Sequence, residues 1–232
     1  MSCFSSLRAS LAPLLLLALA GCDQTTTATF NVGMEASLST EDFSVPEALR
    51  EETASGPRVR ELACDGVPCP STAEAPVVCT AGICDPEPLT ISAQVGDVVD
   101  LDELAGDLDD VVGEIDSLEI LEVNYQVSRN TLTIPVEDVE ILWGPAGAAS
   151  VDASGVQRLG VVPAIAAGST GEGAVQLDDA GSAGFTSYYE TTAHRFKFFV
   201  RTGIDLMPAG AFPEGELDVA VTMRVRITGS LL

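Results

Sequence analysis

Apolar and polar residues alternate along much of the chain, most regularly near its end. There, every second position is apolar and the residues between are mostly polar, at Leu217, Val219, Val221, Met223, Val225 and Ile227. This period of two is typical of a strand with one face in a core and the other in water. We therefore expect a β-strand through this segment.

The same pattern recurs earlier, and it predicts a β-sandwich. Residues 121–127 alternate clearly, residues 28–38 alternate from Phe30 to Ala36, and shorter apolar stretches occupy 156–166, 173–177 and 194–202. Ser128, Arg129 and Asn130 are expected to form a turn, after which the chain returns through 132–143. Short strands separated by Gly/Pro turns are typical of a β-sandwich, immunoglobulin-like or related. One such domain is expected over 30–232.

Between the first strand and these later ones, one segment has the spacing of a helix. Its apolar residues recur three and four positions apart, at Leu101, Leu104, Leu108, Val111, Val112, Ile115 and Leu118. This predicts an amphipathic helix that docks on the sandwich. Its other face is acidic. A calcium loop is the alternative, but Leu104 and Ala105 stand where a third ligand and a glycine are needed, so a solvated face is favoured.

Four cysteines fall within a proline-rich loop over 60–88, at Cys64, Cys69, Cys79 and Cys84. In an exported protein such a cluster predicts two disulfides. A tetrahedral zinc site is the alternative. The spacing of four, nine and four residues differs from the tight two-residue knuckles of most zinc sites and favours disulfides. Three pairings are possible, and the sequence does not choose between them.

Near the start of the chain, Arg8 precedes an apolar run that ends in Leu19-Ala20-Gly21-Cys22. This run is too short to span a bilayer and has the layout of a secretory signal. The motif resembles the lipobox of bacterial lipoprotein precursors. The resemblance implies that residues 1–21 are a signal peptide and that Cys22 becomes the acylated N-terminus. Residues 22–29 would then form a polar tether, and the acyl chains on Cys22 would be the membrane contact.

Charge narrows the classes of partner. The formal net charge is −24, with 35 acidic and 11 basic residues. Such a chain repels nucleic acid and anionic head groups, so neither DNA nor RNA is expected as a partner. No cofactor is expected either, and the protein or ligand partner stays open.

Candidate chemistry is sparse. His194 is the single histidine, lies beside Arg195, and has no nucleophile motif nearby, so it is expected to be structural. Phe185, Tyr188 and Tyr189 are expected in a Gly/Ser-rich loop, either as a binding surface or, preferably, as a plug at one end of the sandwich. Trp143 is expected in the core.

These features together predict a lipid-anchored cell-envelope protein, non-enzymatic, with a structural or binding role. The outer membrane is favoured over the inner membrane, although Asp23 after the lipidated cysteine resembles an inner-membrane retention signal of enteric bacteria. Two alternatives are a carboxylate-based envelope hydrolase and a calcium-dependent adhesion or carbohydrate-binding module.

Overall fold

Two antiparallel sheets pack face to face in a β-sandwich. A computed structural model describes residues 25–40, 45–73, 75–101, 115–191 and 194–230. The first sheet has four strands, in the order β1 (Thr25–Ser39), β13 (Glu216–Ser230), β7 (Ile115–Asn130) and β10 (Gly171–Ala174). The second has five, in the order β11 (Gln176–Leu177), β9 (Gln157–Val162), β8 (Val139–Pro145), β12 (Arg195–Ile204) and β6 (Leu89–Asp100). The prediction of a mainly β sandwich is confirmed.

The remaining described elements lie outside these two sheets. A short 3-10 helix, Glu47–Leu49, precedes two small hairpins. One hairpin joins β2 (Arg50–Thr53) to β3 (Gly56–Val59), and the other joins β4 (Val77–Thr80) to β5 (Ile83–Pro86). A single helix of thirteen residues in the described part of the chain, α1 (Asp179–Thr191), follows β11.

The core lies between the sheets and follows from the alternation of the strands. Val32 and Met34 of β1 are buried, as are Val221, Met223 and Val225 of β13. Their polar neighbours along each strand face outward, because successive side chains of a strand point to opposite faces. The segment with the longest alternation in the sequence therefore forms strand β13, which lies inside the sheet between β1 and β7.

Bulges change which residues of β7 face the core. Val225 pairs with Ile120, and Arg224 pairs with Glu122, so Leu121 is the extra residue of a β-bulge. Ile120 packs against the core in its place. The sequence pattern placed Leu121 in line with Val123, which is wrong by one residue because a bulge shifts the inward face.

The expected turn at 128–130 is also wrong. Ser128, Arg129 and Asn130 belong to β7, whose pairing with β13 continues to Asn130. Beyond it, the Thr131 N–H donates to the Glu216 carbonyl at 2.8 Å, and the chain then crosses to the second sheet. Thus β7 and β8 are not a hairpin. The apolar residues of this crossing, Leu132, Ile134 and Val136, are buried without forming a strand.

Two boundaries near the predicted helix and tether also differ. Ile115 and Leu118 lie in β7 and not on a helix. Residues 102–114, which carry most of that predicted helix, are outside the described residues. The strand β1 starts at Thr25, so the tether expected up to Thr29 is shorter than predicted. The threonines there pair with β13, and threonine is a residue type enriched in strands.

Candidate functional site: a disulfide module at one end of the sandwich

Residues 45–88, here called the cysteine module, contain both small hairpins and both disulfides. Cys64 is bonded to Cys79 and Cys69 to Cys84, with Cα–Cα distances of 5.9 and 5.6 Å. Both distances lie in the range that disulfides require. The predicted disulfides are therefore present, and of the three possible pairings the chain uses first to third and second to fourth.

A tight turn brings the cysteines together. Ala81 and Gly82 both have positive φ, at 53° and 84°, which is the geometry that joins two strands by a two-residue loop. Cys79 and Cys84 consequently face each other across the hairpin. The segment before it lies along β5, since the Cys84 N–H donates to the Leu62 carbonyl at 2.8 Å. The two bridges then tie this segment and its loop to the hairpin.

The positions of the cysteine sulfur atoms bear on the alternative of a zinc site. The Sγ atoms of Cys64, Cys69 and Cys84 lie within 4.8 Å of one another. Two neighbouring bridges produce this proximity by themselves. A sulfur in a disulfide is not a thiolate and does not offer the charge that zinc binding uses. The convergence of sulfurs is thus explained by the bridges.

The module attaches to one end of the sandwich through apolar contacts. Val59 and Ala75 of the module form a buried cluster with Ile134, Ile204 and Phe212 of the body. The hydrogen bond from the Val59 N–H to the Gly210 carbonyl, at 2.9 Å, adds to this contact. Arg50 of β2 also forms an ion pair with Glu214 at 2.7 Å. The module is therefore packed onto the body and is not a free loop.

Which end the module occupies follows from the strand register. Thr25 pairs with Ser230, and Ser39 pairs with Glu216. The body residues that contact the module, Ile134, Phe212 and Glu214, lie close to the Glu216 end of β13. The cysteine module is thus at the end of the sandwich opposite to the start of β1. We call this the distal end.

The module exposes apolar side chains. Among the described residues, five large apolar side chains are exposed, and three of them, Val67, Val78 and Ile83, lie in the module. Val78 and Ile83 are on the face of the hairpin that points away from the buried Cys84, and Asp85 pairs with Val78 on that face. The outer face of the module is therefore partly apolar and acidic.

The aromatic residues singled out in the sequence lie on α1 and not in a loop. Phe185 and Tyr189 are buried, and the Tyr188 hydroxyl donates to the Arg195 carbonyl at 3.0 Å. Phe185 contacts the rings of Trp143 and Phe196, with centroids 5.3 and 4.7 Å apart. Phe185 and Tyr189 therefore do not form an exposed surface. Trp143 lies in the core, as expected.

Gly181 and an N-terminal cap allow α1 to pack closely. The Trp143 Nε1–H donates to the Gly181 carbonyl at 3.1 Å, and a Cβ at Gly181 would collide with the Arg158 carbonyl. The Asp178 carboxylate caps the helix by accepting from the Gly181 N–H at 2.9 Å. Arg158 binds the same carboxylate at 2.8 Å. This ion pair and the cap hold the pKa of Asp178 below its ordinary value of 3.8.

His194 lies directly before β12. Its ring stacks on Tyr189 with centroids 4.4 Å apart, and its carbonyl accepts from the Leu101 N–H at 3.0 Å. These contacts fit the structural role expected from the sequence.

Several described acidic side chains that suggested a calcium site or a hydrolase form ion pairs or hydrogen bonds. Glu119 pairs with Arg226 at 2.8 Å, and Asp100 pairs with Arg195 at 3.1 Å. A surface depression of about 250 Å³ contains Glu35 and Asp218. There Asp218 accepts a hydrogen bond from the Ser37 hydroxyl at 2.6 Å. Residues 102–114 of the acidic segment lie outside the described residues.

The expected anchor also lies outside the described residues, because the structure begins to describe the chain at Thr25, three residues after Cys22. None of the helices that the structure describes has the length and apolar character needed to cross a bilayer.

Neither a known protein family nor a curated protein sequence matches the chain. In structure it is similar to a chain of Desmodium yellow mottle tymovirus, with 10% identity, coverage of 100% of this chain and 97% of that chain, and a TM-score of 0.31. A chain of the infectious bursal disease virus Gx strain gives 12% identity, coverage of 94% and 54%, and a TM-score of 0.24. At these scores the similarity carries no inference for this chain.

Proposed function

We propose that this chain is a lipid-anchored protein of the bacterial cell envelope, non-enzymatic, in which the sandwich carries a structural or binding module. Cys22 would bear the acyl chains, and two or more chains give stable attachment where one does not. The outer membrane is the proposed location. The lipobox Leu19-Ala20-Gly21-Cys22 supports the anchor.

The observation that carries the proposal is the position of the cysteine module relative to the anchor. Only Asp23 and Gln24 separate Cys22 from β1. The strand has fifteen residues, and at roughly 3.4 Å per residue it spans about 50 Å. The module lies at the distal end of that strand. The anchor that we propose at Cys22 would therefore join the sandwich at the start of β1, at the end opposite to the module.

The chemistry of the module supports a contact role. Two disulfides fix its conformation, so that little conformational entropy is lost when its outer face binds another surface. That face combines Val78 and Ile83 with Asp85. A binding module needs such preformed apolar area, and it needs no convergent catalytic groups.

The anchor is tested by Cys22→Ser in the full chain. The variant should lose acyl labelling and move to the aqueous phase in detergent partitioning, because the sulfur is the acyl acceptor. Cys3→Ser is the matched control, since this cysteine lies within the signal and outside the motif. It should remain in the detergent phase, and fractionation of the envelope should place it in the outer membrane. Retention of Cys22→Ser in the detergent phase would overturn the proposal.

A further inference from the structure

The outer edge of β1 differs from the other three edges of the two large sheets. β1 ends the first sheet, and its fifteen residues pair with β13 without a single shift in register. On its other side β1 forms no ladder with any described strand, although it lies against β6 of the second sheet. A long regular edge is a template for pairing with another chain, and proteins usually disrupt such edges.

The other three edges carry the usual protection. β10 has four residues and β11 has two, and short edge strands offer little to pair with. β6 is longer, but it is irregular where Phe196 and Phe198 pair with Val99 and Val95. Gly96, within that irregularity, has a φ of 66°. These three edges are thus short or bent, whereas β1 is neither.

Charge also distinguishes β1. Glu35 is its single charged residue among fifteen, in a chain of net charge −24. Two copies of so acidic a chain repel each other, and like charges brought together cost free energy. The surface through which copies approach should therefore be one that carries few charges. The β1 edge fits a second copy of this chain for that reason.

Gly33 adds a further observation near the middle of β1. A Cβ at this position would have no atom within 4 Å, and the backbone is not in the left-handed region. No packing inside the described chain therefore requires glycine here. Glycine within a strand weakens it and often marks a place where another backbone approaches closely.

We propose that β1 pairs with β1 of a second copy, so that the two four-stranded sheets join into one sheet across a two-fold axis. The interface consists of backbone hydrogen bonds along the edge, with Gly33 near its centre. This inference does not depend on the anchor. A two-fold axis perpendicular to the sheet makes the two paired strands antiparallel.

The test uses the full chain with two double variants that change the net charge equally. Thr27→Lys with Gly33→Lys places lysines on the edge strand, where Thr27 pairs with Thr228 and Gly33 with Thr222. Asn124→Lys with Gln126→Lys places them on β7, inside the same sheet and on its outer face. Both variants reduce the negative charge of the chain, which by itself would favour association.

Sedimentation in detergent should find the unaltered chain and the β7 variant as dimers at micromolar concentration. The β1 variant should dimerise at least about tenfold more weakly, because like charges meet at the edge. Added NaCl should strengthen the dimer of the unaltered chain. A monomeric unaltered chain, or equal dimerisation of both variants, would overturn the proposal.

Hydrogen exchange on the unaltered chain provides a second measurement that does not depend on how the variants fold. Amides of residues 25–39 should exchange more slowly as the protein concentration rises, while amides of β6 should not change. Exchange in β1 that is independent of concentration throughout the micromolar range would equally contradict the proposal.

Discussion

The sandwich body and the cysteine module are each stabilised by a different kind of interaction. The body buries a continuous apolar core that includes Trp143, Phe185, Phe196 and Phe198. The module has a small cluster in which Leu49 and Val77 pack with Cys64 and Cys84. A short hairpin is marginal alone, so the bridges supply what the core of the module lacks. The chain therefore stabilises the body by apolar burial and the cysteine module by covalent bonds.

The largest expected effect comes from the core of the body. Phe185→Ala should lower the free energy of unfolding by about 3–5 kcal/mol, because it removes a fully buried ring and leaves a cavity. Denaturant unfolding followed by the fluorescence of Trp143, the single tryptophan, measures it. Leu177→Ala, on an exposed side chain, is the control and should cost less than about 0.5 kcal/mol. Equal effects of both changes would contradict the described core.

A smaller and more local effect is expected from a bridge. Cys64→Ser with Cys79→Ser opens a loop with a sequence separation of 15, which should cost the module about 3 kcal/mol of local stability. Hydrogen exchange over residues 62–86 should accelerate while the unfolding reported by Trp143 stays unchanged. Thiol titration of the unaltered protein should find no free thiol at these four positions. A parallel loss of stability in the body would show that the two regions are not independent.

The cap of α1 tests how the helix is held on the body. Asp178→Asn should lower Tm by a few degrees at pH 7, through loss of the ion pair with Arg158. The pKa of Asp178 is lowered in the folded state from its ordinary value of 3.8, so its contribution to stability is present above that value. That contribution is lost as the pH falls through the folded pKa. Asp179→Asn is the neighbouring control.

At low pH the Tm of Asp178→Asn and the Tm of the unaltered protein should therefore become equal. A difference in Tm between Asp178→Asn and the unaltered protein that persists far below pH 3.8 would contradict the described ion pair.

The least specific effect concerns the acidic surface as a whole. NaCl and KCl at matched ionic strength should raise Tm similarly, because salt screens repulsion among the carboxylates. Micromolar Ca²⁺ should add nothing beyond that screening, whereas a bound ion would stabilise through its affinity for the folded state. A rise of several degrees with micromolar Ca²⁺ and not with Mg²⁺ would revive the calcium-dependent alternative.

What the sequence predicted well depends on alternation that ran uninterrupted. β13 was found because its inward residues, Val221 to Ile227, follow period two without a break. The bulge at Leu121 could not be predicted, since a bulge depends on how two distant strands pair. The sequence of one strand alone does not indicate it. The crossing after Asn130 was missed for the same reason, because only the register with residues 214–216 reveals it.

The helix α1 is the opposite case, because its sequence contains a helical pattern but also glycines that favour a loop. Phe185, Tyr188 and Tyr189 have the three-and-four spacing of a helix face, and Asp178 stands at the cap position. Gly181 and Gly184 favour a loop by propensity. The close contact of Gly181 with the Arg158 carbonyl explains why glycine is needed there. Among the site residues, the cysteines were predicted, but their pairing needed the hairpin.

The independence of the two regions is tested most directly by reducing the disulfides in the folded protein. Hydrogen exchange should then increase across β4 and β5 and remain slow in β8, β12 and β13, with the fluorescence of Trp143 unchanged. This result is expected because the core of the body contains none of the four bridged cysteines. Loss of protection in β8 and β13 on reduction would contradict the account, since the sandwich would then depend on the bridges.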